Sequence, residues 1–299
     1  MVHHARGMFR TTLSAVIGVV FILGMSRVGA LYGAFGWFRL GVTIGVVLLI
    51  GAAMLARVAA AGPVVSRDVN AAGAQTNGET IMRRTVESVW GALQIAFHLA
   101  LGPALHRWWT RWGATEDEIR RPLPGDALVP APTWSYNHAI TIGAPRTAVW
   151  PWLLQLGQRR GGFYSYEGLE NLIGCDIHNV QEIRPGLQQL AVGDTIRMHR
   201  SGFGPPVTVL DPERALVLGG PPDPAGSRAT WSFHLLDGPI GTTRLLERGR
   251  SAAGRGALAK LVFGPYFMDP IGFVMSRRML HTIKELAERT VNGKAQKVQ

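Results

Sequence analysis

Cysteine is all but missing. Cys175 is the one cysteine among 299 residues, which excludes an internal disulfide and a cysteine-based metal cluster. Familiar catalytic signatures are missing too. The nine histidines include no His-Glu-x-x-His pairing, and there is no Gly-x-Ser-x-Gly elbow and no P-loop. A metalloprotease, a serine hydrolase or a nucleotide hydrolase would therefore lack its needed parts. Gly157, Gly161 and Gly162 do not follow the strand-to-helix order of a dinucleotide fold. His3 and His4 are adjacent and make a poor metal site, so neither a metal nor a cofactor is assigned. Acid is scarce: 20 Asp and Glu stand against 31 Lys and Arg, a formal net charge of +11. A nucleic-acid binder would cluster such charge with exposed aromatics on one face. Here the arginines flank apolar runs and dot the C-terminal helix and tail, which suits anionic lipid headgroups and excludes a nucleic-acid partner. Lys284, Arg289, Lys294 and Lys297 equally suit a solvated helix end.

Charge is also absent from two long runs near the start. Between Phe9 and Met25 the only polar residues are Arg10, Thr11, Thr12 and Ser14, and Leu40 to Ala56 contains no ionisable group. Seventeen to twenty helical residues at about 1.5 Å rise cover roughly the thickness of a hydrocarbon core. Tyr32, Trp37 and Phe38, with Arg27 and Arg39, form an interfacial set between the two runs. The expectation is a transmembrane hairpin over residues 1–60, with spans at about 9–25 and 40–58, in a multi-pass cell-membrane protein. A cleaved signal peptide is the competing reading of the first run. Arginines at both ends of the hairpin favour a cytoplasmic soluble domain. Residues 61–130 read as a linker, with Arg57 to Arg84 as a loop. Within it, about 88–105 reads as a membrane-associated helix whose Trp90, Gln94 and His98 form one stripe. If that helix spans instead, the soluble domain changes sides.

The rest of the chain has a different period. Asn137 to Ile142 alternates as a half-buried strand does, and Ala144-Pro145 ends it. Val149, Trp150, Leu153, Leu154 and Gln158 fall at helical spacing, with Pro145 and Pro151 expected in or before the first turn. Strands are expected over Asp194 to Arg200, Pro206 to Leu210, Arg214 to Leu218, Ala229 to Leu236 and Thr242 to Glu247. Turn residues separate them by connections too short for helical crossovers. Met268 to Arg289 repeats apolar residues every three to four positions and predicts one long amphipathic helix. Strands followed by a final helix give an α+β domain over 131–290, with a basic tail over 291–299.

Ile140-Thr141-Ile142-Gly143-Ala144-Pro145, followed by Val149-Trp150-Pro151-Trp152-Leu153, resembles the first strand, break and helix of the SRPBCC superfamily, also called START-like or polyketide-cyclase-like. Trp112-Gly113-Ala114-Thr115, Pro122 to Asp126, Gly161 to Tyr166 and Asp176-Ile177-His178 look like a membrane-linked bacterial subgroup of it. The likeness covers roughly residues 112 to 290. It implies a helix-grip fold, a seven-stranded antiparallel sheet around a long C-terminal helix with an apolar cavity between them, here preceded by transmembrane helices. The motifs mark a fold and carry no reaction.

Candidate pocket residues are Tyr164, Tyr166, Glu167, His178, Arg197, Trp231 and Phe233. Tyr164 and Tyr166 read as cavity-mouth hydroxyls or as aromatic caps on a sheet. Glu167 reads as an acid or base or as a solvated carboxylate at a helix start. Asp176 and His178, two apart, form no dyad unless the backbone is extended. Trp231 and Phe233 share one strand face and line either a pocket or the helix contact. Arg197 faces either solvent or an anionic head group. No catalytic constellation emerges. The leading expectation is membrane-tethered binding of an apolar or amphipathic small molecule such as a lipid, isoprenoid or polyketide, with membrane lipid and that ligand as partners. The alternatives are a cyclase- or aromatase-like enzyme using the same cavity, and a structural or regulatory membrane protein that binds another protein.

Overall fold

The computed structural model describes residues 71–101, 103–220, 228–252 and 268–296, together with Gly45. The chain divides into two compact units, Met1–Leu101 and Gly102–Gln299. The two apolar runs near the start lie outside the described residues. Among the described residues, no helix is long and apolar enough to cross a membrane.

In the first unit, helix α1 runs over Ala71–Leu101. Residues 71–84, expected as loop, are helical. Ala71, Ala72, Ala74, Gln75, Glu79 and Met82 are good helix formers, enough to outweigh Gly73 and Gly78 at about 1 kcal/mol each. The expected stripe of Trp90, Gln94 and His98 does not stay on one face: Trp90 is exposed, Gln94 intermediate and His98 buried. Four residues at 3.6 per turn advance by more than a full turn, so such a series winds around the axis.

The second unit begins with helix α2 (Pro103–Trp109) and helix α3 (Glu116–Arg120), followed by strand β1 (Trp134–Ile142), helix α4 (Arg146–Leu154) and helix α5 (Glu167–Leu172). Strands β2 (Val207–Asp211), β3 (Ala215–Gly219), β4 (Arg228–Asp237) and β5 (Thr243–Ala252) come next, and helix α6 (Met268–Gln296) closes the chain. The five strands form one antiparallel sheet in the order β1-β5-β4-β3-β2. This is the expected α+β arrangement of antiparallel sheet and final helix. The described residues hold five strands where the resemblance implied seven. Asp194 to Arg200, expected as a strand, meets its neighbour through a single bridge, Thr195 to Pro206. Pro205 and Pro206 have no N–H to return, so a ladder cannot propagate there.

Helix α4 also departs from expectation, because Pro145 is its N-cap but Pro151 lies inside it. Its buried residues Val149, Trp150, Trp152 and Leu153 hold the helix across the missing hydrogen bond.

Strand alternation sorts the sheet into two faces. The inner face carries Ile142, Leu218, Phe233, Leu235 and Leu245, packed in one buried cluster with Met279, Leu280, Ile283 and Leu286 of α6. The outer face is covered by the segment around α3. Leu123 packs on Ala139 and Leu246 there, and three arginines of β5 hold the segment down. Arg244 binds Glu118 at 2.7 Å and the Gly113 carbonyl. Arg248, almost fully buried, donates to Asn137 Oδ1, Asp126 Oδ2 and the carbonyls of Glu118, Ile119 and Arg121. Arg250 donates to the carbonyls of Val129 and Pro130. The free edge of β1 is covered as well, since Asn137 N–H and Ala139 N–H donate to the carbonyls of Thr110 and Trp112. Gly113 permits that approach, because a Cβ there would overlap the Ala139 carbonyl.

Candidate functional site

At the end of the inner face where β1 begins and β5 finishes, the apolar pattern gives way to a polar group. Register places His138 opposite Glu247 and Tyr136 opposite Gly249 on β1 and β5. It also sets Trp231 of β4 opposite Gly249. Gly249 has no side chain for a steric reason: a Cβ there would run into the Tyr136 ring. Tyr136 and Trp231 thus flank a bare position and reach toward the same carboxyl.

That carboxyl is Glu247, which has no exposed surface. Its Oε1 accepts from Tyr136 Oη at 3.0 Å, Trp231 Nε1 at 2.7 Å and Ser276 Oγ of α6 at 2.9 Å. Its Oε2 lies 3.1 Å from His138 Nδ1. The other ring nitrogen of His138 is 2.9 Å from the Trp109 carbonyl. A carbonyl only accepts, so Nε2 carries a hydrogen. Nδ1 is then the ring nitrogen turned to the Glu247 carboxyl. Burial and the neighbouring Glu247 push the Tyr136 hydroxyl well above the ordinary tyrosine range.

Asp269, in the first turn of α6, is a second buried acid at this end, with a side chain only 2% exposed. His106 Nδ1 of α2 lies 3.1 Å from Oδ2 but off the line of a hydrogen bond. Among the described residues neither Asp269 oxygen has a well-aligned donor; the buried Trp134 Nε1–H reaches this carboxyl off the ideal line, and His106 Nδ1 lacks an aligned partner in turn. Burial lifts the Asp269 carboxyl to about 7, against the opposing pull of Trp134 and His138. Desolvation also lowers the His106 pKa.

Aromatic rings surround the Glu247–His138 pair. Tyr136 stacks on His138 at 4.4 Å, Phe273 meets His138 edge-on at 5.7 Å, and Trp112 meets Phe273 at 6.3 Å. On the other side, Trp231 contacts Phe233 at 5.0 Å and Phe163 at 5.8 Å. The arrangement combines an apolar aromatic wall, one saturated carboxyl and one buried acid that has no well-aligned donor among the described residues.

Of the residues picked out from sequence, Trp231 and Phe233 stand at this site, while the others lie in the glycine-rich turn and its surroundings. Tyr164 is buried at φ +57°, and its hydroxyl takes a 2.8 Å bond from Gln155 Nε2. Burial raises the pKa of that hydroxyl. Gln155 also receives Arg184 N–H and Gln188 Nε2, so it ties together three stretches of loop. Tyr166 is buried and lies under the Arg278 guanidinium, 5.8 Å from the ring centroid. Glu167 Oε2 accepts Asn179 N–H at 3.0 Å. His178 lies between Glu167 at 3.5 Å and Asp176 at 3.3 Å with its side chain mostly exposed. Asp176 has φ +58°, and this backbone turn lets residues two apart meet. Arg197 is exposed on a loop.

Sequence reasoning missed Tyr136, His138, Glu247, Asp269, His106 and Trp134. The signal for three of them was present, because Thr243, Leu245, Glu247 and Gly249 occupy the inward positions of β5, so an acid interrupts an apolar series. Tyr136 and His138 occupy the matching positions of β1. Asp269 and His106 come together only through the tertiary fold.

No family model and no curated protein matches the chain. Solved structures do. Protein MLL2253 from Mesorhizobium loti is 19% identical, with 52% of this chain and 98% of that one covered at a TM-score of 0.30. Protein CV1439 from Chromobacterium violaceum is 14% identical, with 52% and 96% covered at 0.30. Protein Ms6760 from Mycobacterium smegmatis is 13% identical, with 54% and 93% covered at 0.29. None of these names states an activity.

Proposed function

We propose that the unit Gly102–Gln299 binds an amphipathic small molecule, such as a lipid, an isoprenoid or a polyketide-like compound, between the inner face of the sheet and α6. The guest's body would lie among the aromatic rings and its polar end beside Asp269. One observation carries the reading: among the described residues a buried carboxyl, Asp269, lacks a well-aligned donor beside a group of aromatic side chains. A few polar groups set into an apolar lining are the usual make-up of a small-molecule site. Affinity would come mainly from apolar burial at about 25 cal/mol per Å², with the polar end fixing orientation. The SRPBCC resemblance and the antiparallel sheet with its final helix add support. The two apolar runs before residue 60 support the further proposal of a membrane tether, which would raise the local concentration of a membrane-dissolved guest around the domain.

The test uses the full chain purified in mild detergent. Solvent extraction with mass spectrometry should recover a co-purifying amphipathic compound, and a fluorescent fatty-acyl probe should bind saturably, with competition by the extract. A protein that arrives empty and shows no saturable uptake of the probe would overturn the reading.

A further inference from the structure

Beside the start of β2, three loops of the unit Gly102–Gln299 meet and form a tip that the binding reading leaves unused. Residues 196–205 double back as one arm, in which Ile196 N–H donates to the Pro205 carbonyl, Met198 N–H donates to that of Phe203, and Gly202 at φ +89° makes the turn. The turn after α5 lies against this arm, since a Cβ on Gly174 would stand 3.6 Å from His199 Nε2 and 3.8 Å from the Arg200 guanidinium. The glycine-rich loop joins both. Gln158 N–H donates to the Arg197 carbonyl at 2.7 Å, and the Gln158 side-chain amide donates to Asp176 Oδ2 at 3.2 Å.

Each of the first two loops presents an apolar side chain to solvent: Ile173 is 75% exposed and Phe203 72%. Arg159, Arg197 and Arg200 are exposed on the same three loops, and among the described residues no ion pair involves them. The acids close by are otherwise engaged. Asp176 meets His178 and Gln158, and Asp194, at the base of the arm, accepts Ala191 N–H. We propose that this tip docks on an anionic lipid surface, with Ile173 and Phe203 entering the interfacial layer and Arg159, Arg197 and Arg200 meeting headgroup phosphates. The proposal goes beyond the binding reading and stands without it.

Single exposed apolar residues are ordinary. Here two of them, from loops some thirty residues apart in sequence, are brought together among cations that lack acidic partners. A stable protein interface buries roughly 800 Å² on each side around a continuous aromatic core, which two projecting side chains do not supply. Shallow apolar insertion combined with attraction to anionic headgroups is the make-up of reversible attachment to a bilayer. Arginine suits it further, because the guanidinium fork matches phosphate oxygens. The sheet register fixes which end of the unit would face the lipid. β2 begins where β1 begins and β5 finishes, the end that holds Glu247 and His138, whereas fully exposed Ile240 sits in the β4–β5 turn at the opposite end.

The test uses the full-length protein carrying Cys175→Ser, so that one introduced thiol takes an environment-sensitive nitrobenzoxadiazole label at Ile173→Cys, Phe203→Cys or, as the reference, Ile240→Cys. Each protein is reconstituted into vesicles of phosphatidylcholine alone or of phosphatidylcholine with phosphatidylglycerol. Labels at positions 173 and 203 should shift to the blue and be quenched by a doxyl lipid in the anionic vesicles only, while the label at position 240 stays in water in both. Arg159→Gln, Arg197→Gln and Arg200→Gln should each lower the ratio of docked to undocked label about fivefold, the factor a cation contributes near an anionic surface. High salt should weaken docking as well. Labels at 173 and 203 that behave as the one at 240, or that respond equally in neutral vesicles, would overturn the proposal. So would a blue shift that grows with protein concentration in the absence of vesicles, which would assign the tip to a second copy of the chain. Uptake of the fatty-acyl probe is measured separately, so loss of either result leaves the other standing.

Discussion

Single side chains carry the sharpest tests. Gly249→Ala sets a methyl group against the Tyr136 ring, and overpacking of this kind costs about 1–3 kcal/mol. Urea unfolding should show that loss, and the double substitution Gly249→Ala with Tyr136→Ala should recover part of it. Tyr136→Phe keeps the ring and removes one of the three donors on Glu247 Oε1. It should cost about 1 kcal/mol by the same measurement, in line with one hydrogen bond lost while others remain. At this scale the sequence was only partly legible. Trp231 and Phe233 were readable because strand alternation puts them on one face. Glu247 sat in the same alternating pattern and was passed over, since a lone acid in a strand ordinarily faces water. Tyr164 drew notice as an aromatic beside glycines, yet its hydroxyl is taken by Gln155. Nothing in a linear reading pairs a residue with an amide nine positions away across a turn.

The elements were more readable than their covering. β1, β4, β5 and α6 follow from their periods of two and of three to four, because burial on one side imposes those periods directly. The segment around α3 did not show its role. It touches the outer face through arginines of β5 whose partners are mostly backbone carbonyls, and a carbonyl leaves no trace in composition. Arg248 illustrates the dependence. Removing its guanidinium by Arg248→Ala leaves Asn137 Oδ1 and several carbonyls without their donor, and Asp126 with Leu123 N–H and Arg250 alone, a loss somewhat below the about 3–5 kcal/mol of a fully buried pair. Hydrogen exchange should report the loss locally, with protection falling first at Asn137 and Ala139, whose N–H groups bond this covering stretch, before the β4–β5 pair opens.

Across the whole molecule, three of the described buried groups have large opposing effects on how stability changes with pH. Burial raises Asp269 to about 7 and, with Glu167 nearby, Glu170 to about 8. Both are protonated in the folded chain at pH values where the unfolded chain has ionised them, so their contribution is present at low pH and is lost as pH rises toward those values. His234 behaves oppositely: burial and Arg248 lower it to about 4, so its contribution is present above about 6.5 and is lost below it. The three effects partly cancel between about pH 4 and 6.5, and only the acids remain above. Thermal unfolding should therefore show its steepest loss of stability near pH 6.5 to 7, with a shallower loss up to about 8, and Asp269→Asn should flatten the steep part. The order of the sheet carries a different consequence. β1 lies at one end of the sheet and its strand partner is β5, with Trp134 set against Ser251. During synthesis the earlier strand must wait, solvated and unpaired, until more than a hundred later residues have left the ribosome. High contact order of this kind slows folding and lengthens exposure to aggregation, so a nascent chain stalled before β5 should be held by chaperones and released once the final helix emerges.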